Sequence, residues 1–569
     1  MNFELAKIFN EMAVFLDIKD VEFKPRAYER AAYSLENLDR NVKDIYQEGG
    51  LKALLEIPGV GERIAEKIEE YIKTGKIKEY QKFKKEWLVN IEELNRIEGI
   101  GPKNIKKVYR QLGVTNAEEM KAAAEAGKIA AIPGLGKKVQ EKILKSLEFF
   151  KESRGRFLLS SVLPLARKIV ETLHILPEVK KAEYAGSIKR MQETIGDLDI
   201  LVISEKSAKV MDFFVKMPEV EEVLAKGSTK TTVRLKNGLR ADVRIVPPES
   251  FGAALQYFIG DKYHNIVVRE IAVKKGYKLN EYGLFKGKKR IAGKDEKAIY
   301  EKLGMQWMPP ELRTNHGEIE AALAGKLPEL IGYKEIRGDL QVQTDWTDGD
   351  HSIEEMAKAA QKEGLEYICI TDHTVSLAMT GGNDEKRLLK QMAEIDKIQK
   401  KFSDFKILKG AEVNILKDGS LDIEDEVLAK LDVVGASVHS NWSMSEKEMT
   451  ERITKTMENP HVDIIFHPTG RIIQKREAYK VDMTKLIQTA KRTKTILEAN
   501  ACPVRLDLKD EYIRQAIEAG IKIAIDSDAH SISHFKFLEY GIAQARRGWA
   551  EKKDIINAHH WEEMLKMLK

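Results

Sequence analysis

The stretch Tyr184-Ala-Gly-Ser-Ile-Lys-Arg-Met-Gln-Glu-Thr-Ile-Gly-Asp-Leu-Asp-Ile-Leu-Val202 decides how the rest of the chain is read. Asp197 and Asp199 stand one residue apart in a run, Leu198, Ile200, Leu201 and Val202, that predicts a buried strand. Successive strand side chains point to opposite faces, so both carboxylates project from the same face. Two acids this close repel each other and pay for desolvation unless a cation lies between them. Hard oxygen ligands suit Mg²⁺, which is commonly held by one or two carboxylates together with substrate phosphates. Upstream, a strand over 181–185 runs into Gly186-Ser187, a small turn that permits close approach, and Arg190 follows. The bland alternative is a surface strand carrying two solvated acids.

Downstream, an alternating run over 231–236 meets Asn237-Gly238 and then a second run over 239–246. Asn-Gly between two such runs predicts a tight hairpin. Asp242 lies on its second strand, and a third carboxylate beside the first pair would complete a two-metal site for in-line phosphoryl displacement. A strand, a Gly-Ser turn and an Asp-x-Asp strand together are similar to a nucleotidyltransferase active site.

The first 150 residues show helical spacing and almost no β-like alternation. One short pattern occurs in them three times: Ile57-Pro-Gly59-Val-Gly61, Ile97-Glu-Gly99-Ile-Gly101 and Ile132-Pro-Gly134-Leu-Gly136. Each precedes a basic amphipathic helix, over 62–68, 102–108 and 137–143. Paired glycines permit a tight turn into a helix N-terminus, where free N–H groups and the positive dipole end suit a phosphate oxygen. This is the helix-hairpin-helix pattern, which grips the DNA backbone without reading sequence; a plain helical hairpin is the competing reading. Lys67 follows Gly61 on the first of these helices, and neighbouring cations such as Arg63 and Lys24 would favour the free amine needed for a Schiff-base nucleophile. A solvated lysine is the ordinary alternative.

At 569 residues the chain is long enough for several domains. Its 43% hydrophobic content contains no run near the roughly 18–20 apolar residues of a membrane span. No signal segment opens it, and two cysteines exclude a disulfide scaffold. A water-soluble, cytoplasmic chain with no membrane partner is expected. The net charge of +5 permits nucleic-acid binding without arguing for it.

Residues 250–269 read Ser250-Phe-Gly-Ala-Ala-Leu-Gln-Tyr257-Phe258-Ile-Gly260-Asp-Lys-Tyr-His-Asn265-Ile-Val-Val-Arg269. With this stretch, the order of motifs over residues 1 to about 318 resembles a family X DNA polymerase of the polymerase beta type. The resemblance implies that Asp197, Asp199 and Asp242 hold two Mg²⁺ or Mn²⁺ ions, with Asp242 near the base for the primer 3′-hydroxyl. It implies that Ser187 and Arg190 contact the β- and γ-phosphates of the incoming nucleotide, with Gly186 admitting them. Tyr257, Phe258 and Gly260 would lie against the sugar, Asn265 would reach the base in the minor groove, and Arg269 the template. Lys67 would remove a 5′-deoxyribose phosphate by β-elimination. The family's supporting lysine one turn earlier is Arg63 here, so a backup amine is lost.

After the connector Leu327-Pro-Glu-Leu-Ile-Gly-Tyr, apolar β-like runs alternate with helical stretches, which predicts a parallel sheet or barrel. The runs cover 367–371, 406–410, 433–438, 462–466, 495–498 and 522–525. Polar residues fall at their C-terminal ends, where barrel sites are built. The order Asp348-Gly, Thr-Asp-His373, Ala-Glu412, Ser-Val-His439, His467-Pro and Asp526-Ser-Asp528-Ala-His530 resembles the polymerase-and-histidinol-phosphatase (PHP) domain. In that family nine positions hold a metal cluster serving Mn²⁺-dependent 3′–5′ exonuclease and related phosphoesterase activity. Seven positions keep a metal-capable side chain here: Asp348, His373, Glu412, His439, His467, Asp528 and His530. The opening Asp-Leu-His-x-His is instead Asp339-Leu340-Gln341-Val342-Gln343. An amide ligates a hard ion weakly and cannot replace an imidazole on a transition metal. Some relatives carry Gln at the first position, so Gln343 is the graver loss, and a weakened Mn²⁺ or Zn²⁺ site with reduced exonuclease is expected. A structural or DNA-clamping remnant is the alternative.

The expected architecture is multidomain. It comprises an all-α helix-hairpin-helix lyase-like domain (1–85), helical DNA-binding fingers (86–150), an α+β nucleotidyltransferase palm (151–248) and thumb (249–318), a linker (319–335) and a C-terminal α/β PHP barrel (336–569). The expected activity is gap-filling DNA synthesis by a monomer acting on gapped double-stranded DNA and deoxynucleoside triphosphates. The alternatives are a phosphoesterase with a DNA-binding front half, and non-templated nucleotide addition; Asn265, Arg269 and the repeated hairpins favour a duplex template over the last.

Overall fold

The computed structural model describes the chain apart from residues 22–23, 37, 39, 95–96, 98–99, 154 and 378–379. It divides into two compact units, Met1–Arg154 with Gln474–Glu477, and Gly155–Ile473 with Ala478–Lys569.

The first unit is helical. Asn2–Ile18 buries Leu5, Phe9, Met12 and Phe15 on one face at three- and four-residue spacing and packs on Lys24–Glu36. A single hydrophobic cluster runs from Leu5 to Leu147, so the expected boundary near residue 85 does not separate two cores. The helices that follow the first two glycine motifs begin and end alike. Gly61 and Gly101 cap the helices Glu62–Thr74 and Pro102–Leu112 in extended conformation (φ −84°, ψ 172° and φ −83°, ψ 174°), and Gly75 and Gly113 close them in the left-handed region. The third differs: Gly134 and Gly136 both have positive φ (85° and 36°), and the helix Gly136–Ser153 starts at the second glycine.

In the second unit the palm is a five-stranded sheet in the order Val179–Ala185, Asp197–Ser204, Arg240–Ile245, Lys230–Leu235, Val220–Lys226. The expected Asn237-Gly238 hairpin joins two of these strands, with Gly238 at φ 87°. The thumb begins with Phe251–Ile259 and Lys262–Lys274 and includes the helix Glu318–Ala324, whose Ile319 and Ala322 belong to the thumb core. The thumb therefore extends past its expected end at 318. The connector has structure too: Leu327 packs on the thumb core and Ile331 is buried in the barrel core.

The C-terminal part is a seven-stranded, wholly parallel sheet whose strands lie side by side in sequence order from Gly338–Val342 to Ile523–Asp526. Helices follow most strands and cover the sheet, which is why the strands read as continuous apolar runs. A bridge between Val342 and Ala529 brings the first strand against the segment after the last, nearly closing a barrel. No described helix is long and apolar enough to cross a membrane.

Candidate active sites

In the palm, the strand Asp197–Ser204 pairs directly and in parallel with Arg240–Ile245, setting Asp199 opposite Asp242 and Asp197 opposite Arg240. The three acids thus share one face of two adjacent strands, as expected. Asp197 is exposed, Asp199 half-buried and Asp242 buried. Burial, with Asp197 and Asp242 alongside, pushes the Asp199 carboxyl up to about 6. Burial acts on Asp242 in the same direction, but Lys230 above all holds that carboxyl below its ordinary value. Lys230 Nζ lies 2.7 Å from Asp242 Oδ2, with Arg240 at 3.5 Å and Arg244 at 3.9 Å. Asp242 Oδ1 is buried and finds no hydrogen-bond partner among the described residues. Crowded acids with an orphaned oxygen fit a pair of hard divalent cations.

Sequence reading missed these three cations. Arg240 and Arg244 flank Asp242 two residues to either side, and strand parity places them on its face. Lys230 needed the register of the hairpin, which sets it opposite Arg244.

The turn before the strand is compact. Gly186 has φ 76°, and a Cβ there would stand 3.2 Å from Asp199 Oδ2, so glycine brings the turn onto the acid. Arg190 and Gln192 donate backbone N–H groups to the carbonyls of Gly186 and Ser187. The half-buried Arg190 guanidinium donates to the carbonyl of Ile259, tying this turn to the Tyr-Phe-x-Gly motif, while its buried Nε has no hydrogen-bond partner among the described residues.

Asn265 departs from expectation. It is buried, and its Nδ2 donates to the carbonyls of Tyr257 (2.7 Å) and Gly260 (2.9 Å) while its Oδ1 accepts from Gln256 (2.9 Å). Its amide is spent on holding the turn rather than presented to a base. A Cβ at Gly260 would stand 2.6 Å from Asn265 Oδ1, so only glycine fits there. Tyr257 and Phe258 stack edge to face at 5.1 Å, and the Arg244 guanidinium lies 4.8 Å from the Phe258 ring, linking the carboxylate strand to the motif. Arg269 is exposed, and its Nε donates to the carbonyl of Asn265.

In the helical unit, Lys67 Nζ lies 2.6 Å from Glu79 Oε2, an ion pair the sequence did not suggest. Lys24 and Arg63 are exposed. Gly59 (φ 73°) lies so close to the backbone of Arg30 that a Cβ would stand 3.3 Å from its carbonyl carbon. Gly99 falls outside the described residues.

The barrel collects its seven retained positions at the C-terminal strand ends. Glu412, fully buried, is the hub: His467 Nε2 lies at 2.9 Å, His439 Nε2 at 3.2 Å and His373 Nδ1 at 3.3 Å from its oxygens. Burial alone would raise the Glu412 carboxyl, but His373 and the other imidazoles hold it well below the usual range. Asp348 Oδ1 lies 3.6 Å from His373 and 3.7 Å from His530, whose Nδ1 is 3.6 Å from Asp528. Among the described residues, two groups could hold a metal ion, Asp348–His373–His530 and His373–Glu412–His439. His467 (φ 31°) and Asp528 (φ 55°) adopt left-handed backbone, a strain that clusters at functional sites.

Both glutamines lie inside this site. Gln343 Nε2 donates to Glu412 Oε2 at 2.9 Å, so it serves the hub as a hydrogen-bond donor where the family pattern has an imidazole. Gln341 Oε1 accepts from Asn500 Nδ2 at 3.1 Å. Gln343 Oε1 and Gln341 Nε2 are buried with no hydrogen-bond partner among the described residues. The imidazole and carboxylate donors fit a transition-metal ion, and the glutamines reduce that fit on one side. Asn500, Glu498 and Arg505 escaped sequence reading: Asn500 Nδ2 is 3.2 Å from Asp528 and 3.3 Å from Glu498, and Arg505 Nε is 3.6 Å from Asp528. Strand pairing sets Asn500 beside Asp526 and Glu498 beside Ala524.

Four family models match separate stretches of the chain. Residues 1–77 match the helix-hairpin-helix domain family and residues 91–148 the SAM-like helix-hairpin-helix tandem. Residues 254–314 match the DNA polymerase beta thumb and residues 339–502 the PHP domain. A probable phosphatase of Thermoanaerobacter sp. (strain X514) is 34% identical over 189 residues, 32% of this chain and 72% of that protein. A solved polymerase beta from Leishmania infantum, in a ternary P/T complex, aligns with 40% of this chain and 98% of its own at 22% identity, with a TM-score of 0.26. The DNA polymerase/3′–5′ exonuclease PolX of Bacillus subtilis (strain 168) is 37% identical over 571 residues, 100% of this chain and 99% of that one. With 37% identity over 571 residues and nearly the whole of both chains covered, the chain belongs to the PolX family.

Proposed function

We propose that the chain is a DNA polymerase that fills short gaps in duplex DNA during repair, with a PHP-domain 3′–5′ exonuclease attached. The observation that carries the first activity is the register of Asp199 opposite Asp242 on adjacent parallel strands, one turn away from Gly186-Ser187. Asp197, Asp199 and Asp242 would hold Mg²⁺ or Mn²⁺, which supplies charge neutralisation at the transferring phosphoryl group. Ser187 and Arg190 would grip the triphosphate, with the Gly186 turn letting the backbone approach. Asp242, buried among Lys230, Arg240 and Arg244, would stand near the base that takes the proton of the primer 3′-hydroxyl. Tyr257 and Phe258 would face the sugar, and Asn265 would fix the turn that presents them. The turns at Gly61 and Gly101, and more weakly the dissimilar one at Gly136, would grip duplex backbone. Arg269, exposed on the thumb, would reach the template strand.

The exonuclease would use the Glu412 hub with Mn²⁺ or Zn²⁺, and the glutamine amides would slow it. A lyase step at Lys67 would require the amine to leave Glu79 first. Borohydride trapping on a 5′-deoxyribose phosphate substrate tests it, and trapping that persists in Lys67→Ala removes it. The enzyme would act as a monomer.

The second reading, a phosphoesterase with a DNA-binding front half, rests on the barrel site. Gapped DNA incubated with Mg²⁺ or Mn²⁺, with and without deoxynucleotides, separates the two. One-residue extension supports the polymerase. Metal-dependent degradation with no extension would establish the second reading.

A further inference from the structure

The turn that carries Arg190 is held from outside the palm. Met191, next to Arg190, has left-handed backbone (φ 51°) and is buried, and its carbonyl accepts a hydrogen bond from Arg547 of the barrel. Two residues on, Glu193 receives a forked pair of hydrogen bonds from Arg471 (3.1 and 2.5 Å) and a third from Gln544 (3.0 Å), with Arg547 at 3.5 Å. Arg471, Gln544 and Arg547 are all buried. Burial would raise the Glu193 carboxyl, but Arg471 and Arg547 hold it below its ordinary value. The backbone carbonyl of Glu193 accepts from Leu159, so the residue is fixed at both ends.

The same side chains grip the barrel site's own loop. Arg471 and Gln544 both donate to the carbonyl of Leu506, and Gln544 also to that of Leu508. Between these two lies Asp507, whose carboxylate accepts from the backbone and hydroxyl of Thr469, two residues beyond the hub ligand His467. Arg505, just before Leu506, faces Asp528. One half-buried carboxylate and its three buried partners therefore join the turn that carries Arg190 to the loop that fixes His467.

We propose that Glu193 is a positioning residue through which the PHP barrel sets the geometry of the triphosphate-binding turn. This rests on the proposed polymerase reading. Glu193 touches neither nucleotide nor metal; it holds the left-handed exit of the turn so that Ser187 and Arg190 face the phosphates. Misplacement of about 1 Å at such a turn costs up to about a hundredfold in rate.

The test uses the full chain with Glu193→Gln, Arg471→Met and the double variant. It reads kcat and KM for single-nucleotide gap filling, affinity for gapped DNA by anisotropy, and Mn²⁺-dependent exonuclease rate. Each single variant is expected to raise KM for the deoxynucleotide about tenfold with DNA affinity within about twofold of native, and the double variant to be no worse than the worse single. Exonuclease rate should fall in the same variants. Arg471→Lys, which keeps the charge but not the fork, should recover part of the KM and stands in if Arg471→Met fails to fold. An unchanged KM in the variants that fold, or effects that multiply in the double variant, would overturn the node. A native chain that does not extend the primer overturns both the node and the polymerase reading; native extension with unaltered variants overturns the node alone.

Discussion

The palm and the barrel both gather metal-binding side chains, yet they handle charge in opposite ways. The palm sets three carboxylates on two neighbouring strands and surrounds one of them with Lys230, Arg240 and Arg244, so its protein partners are cations. The barrel sets one carboxylate, Glu412, among three imidazoles, and draws its ligands from five further strand ends. The first is a hard-oxygen site, suited to Mg²⁺. The second is a mixed nitrogen–oxygen site suited to a transition metal, with two family imidazoles replaced by amides. An acid-only site tolerates no loss because each oxygen carries charge. A many-ligand site can lose one imidazole and keep the rest.

The largest expected effect separates the two directly. Asp199→Ala should lower single-nucleotide incorporation on gapped DNA by at least about a thousandfold, since charge stabilisation at the phosphoryl group is lost. Exonuclease rate in Mn²⁺ should stay within about twofold of native. Substantial extension by this variant would break the assignment of the palm.

The mirror experiment is Glu412→Gln. Removing the hub carboxylate should cut Mn²⁺-dependent degradation by about a hundredfold or more while gap filling is unchanged. Retained degradation would mean that the nuclease does not use the hub.

Gln343→His sharpens the contrast. Restoring an imidazole in place of a donor on Glu412 should raise exonuclease rate and Mn²⁺ affinity about tenfold. No gain would show that the missing ring is not what limits the site.

Asn265→Ala should act on the palm side alone. It frees the carbonyls of Tyr257 and Gly260 and should cost about 1–3 kcal/mol of thumb stability with a severalfold rise in KM for the nucleotide. A changed base preference with unchanged KM would return Asn265 to a base-reading role.

The smallest effect is in pH. The Asp199 carboxyl lies near 6 when folded against 3.8 ordinarily, so metal-free stability is fullest below about pH 4 and is lost as pH rises through 6. The loss amounts to about 2–3 kcal/mol by pH 7.5, and Mg²⁺ should restore it there but not at pH 4. Calorimetry at both pH values, with and without Mg²⁺, measures it; equal Mg²⁺ stabilisation at both would contradict the crowding of the acids.

Much of this was legible from residues alone. Strand parity placed Asp197 and Asp199 on one face, and Asn237-Gly238 announced the hairpin that brings Asp242 beside them. The glycine motifs announced the helices that start at Glu62 and Pro102, and successive apolar runs ending in His, Asp or Glu announced the barrel. These are local signals, set by backbone geometry within a few residues of the feature they mark. What the sequence did not disclose were pairings across distance: Lys230 on Asp242, Glu79 on Lys67, the amide of Asn265 turned inward, and the grip of Arg471 and Arg547 on the turn before Asp197. The helix Glu318–Ala324 joined the thumb because two apolar side chains found its core, and the helical domains merged because one hydrophobic cluster runs through both. Chemistry was written in residue type and spacing; partnership was decided by the fold, because a charged or amide side chain has several neighbours it can satisfy and only packing selects among them.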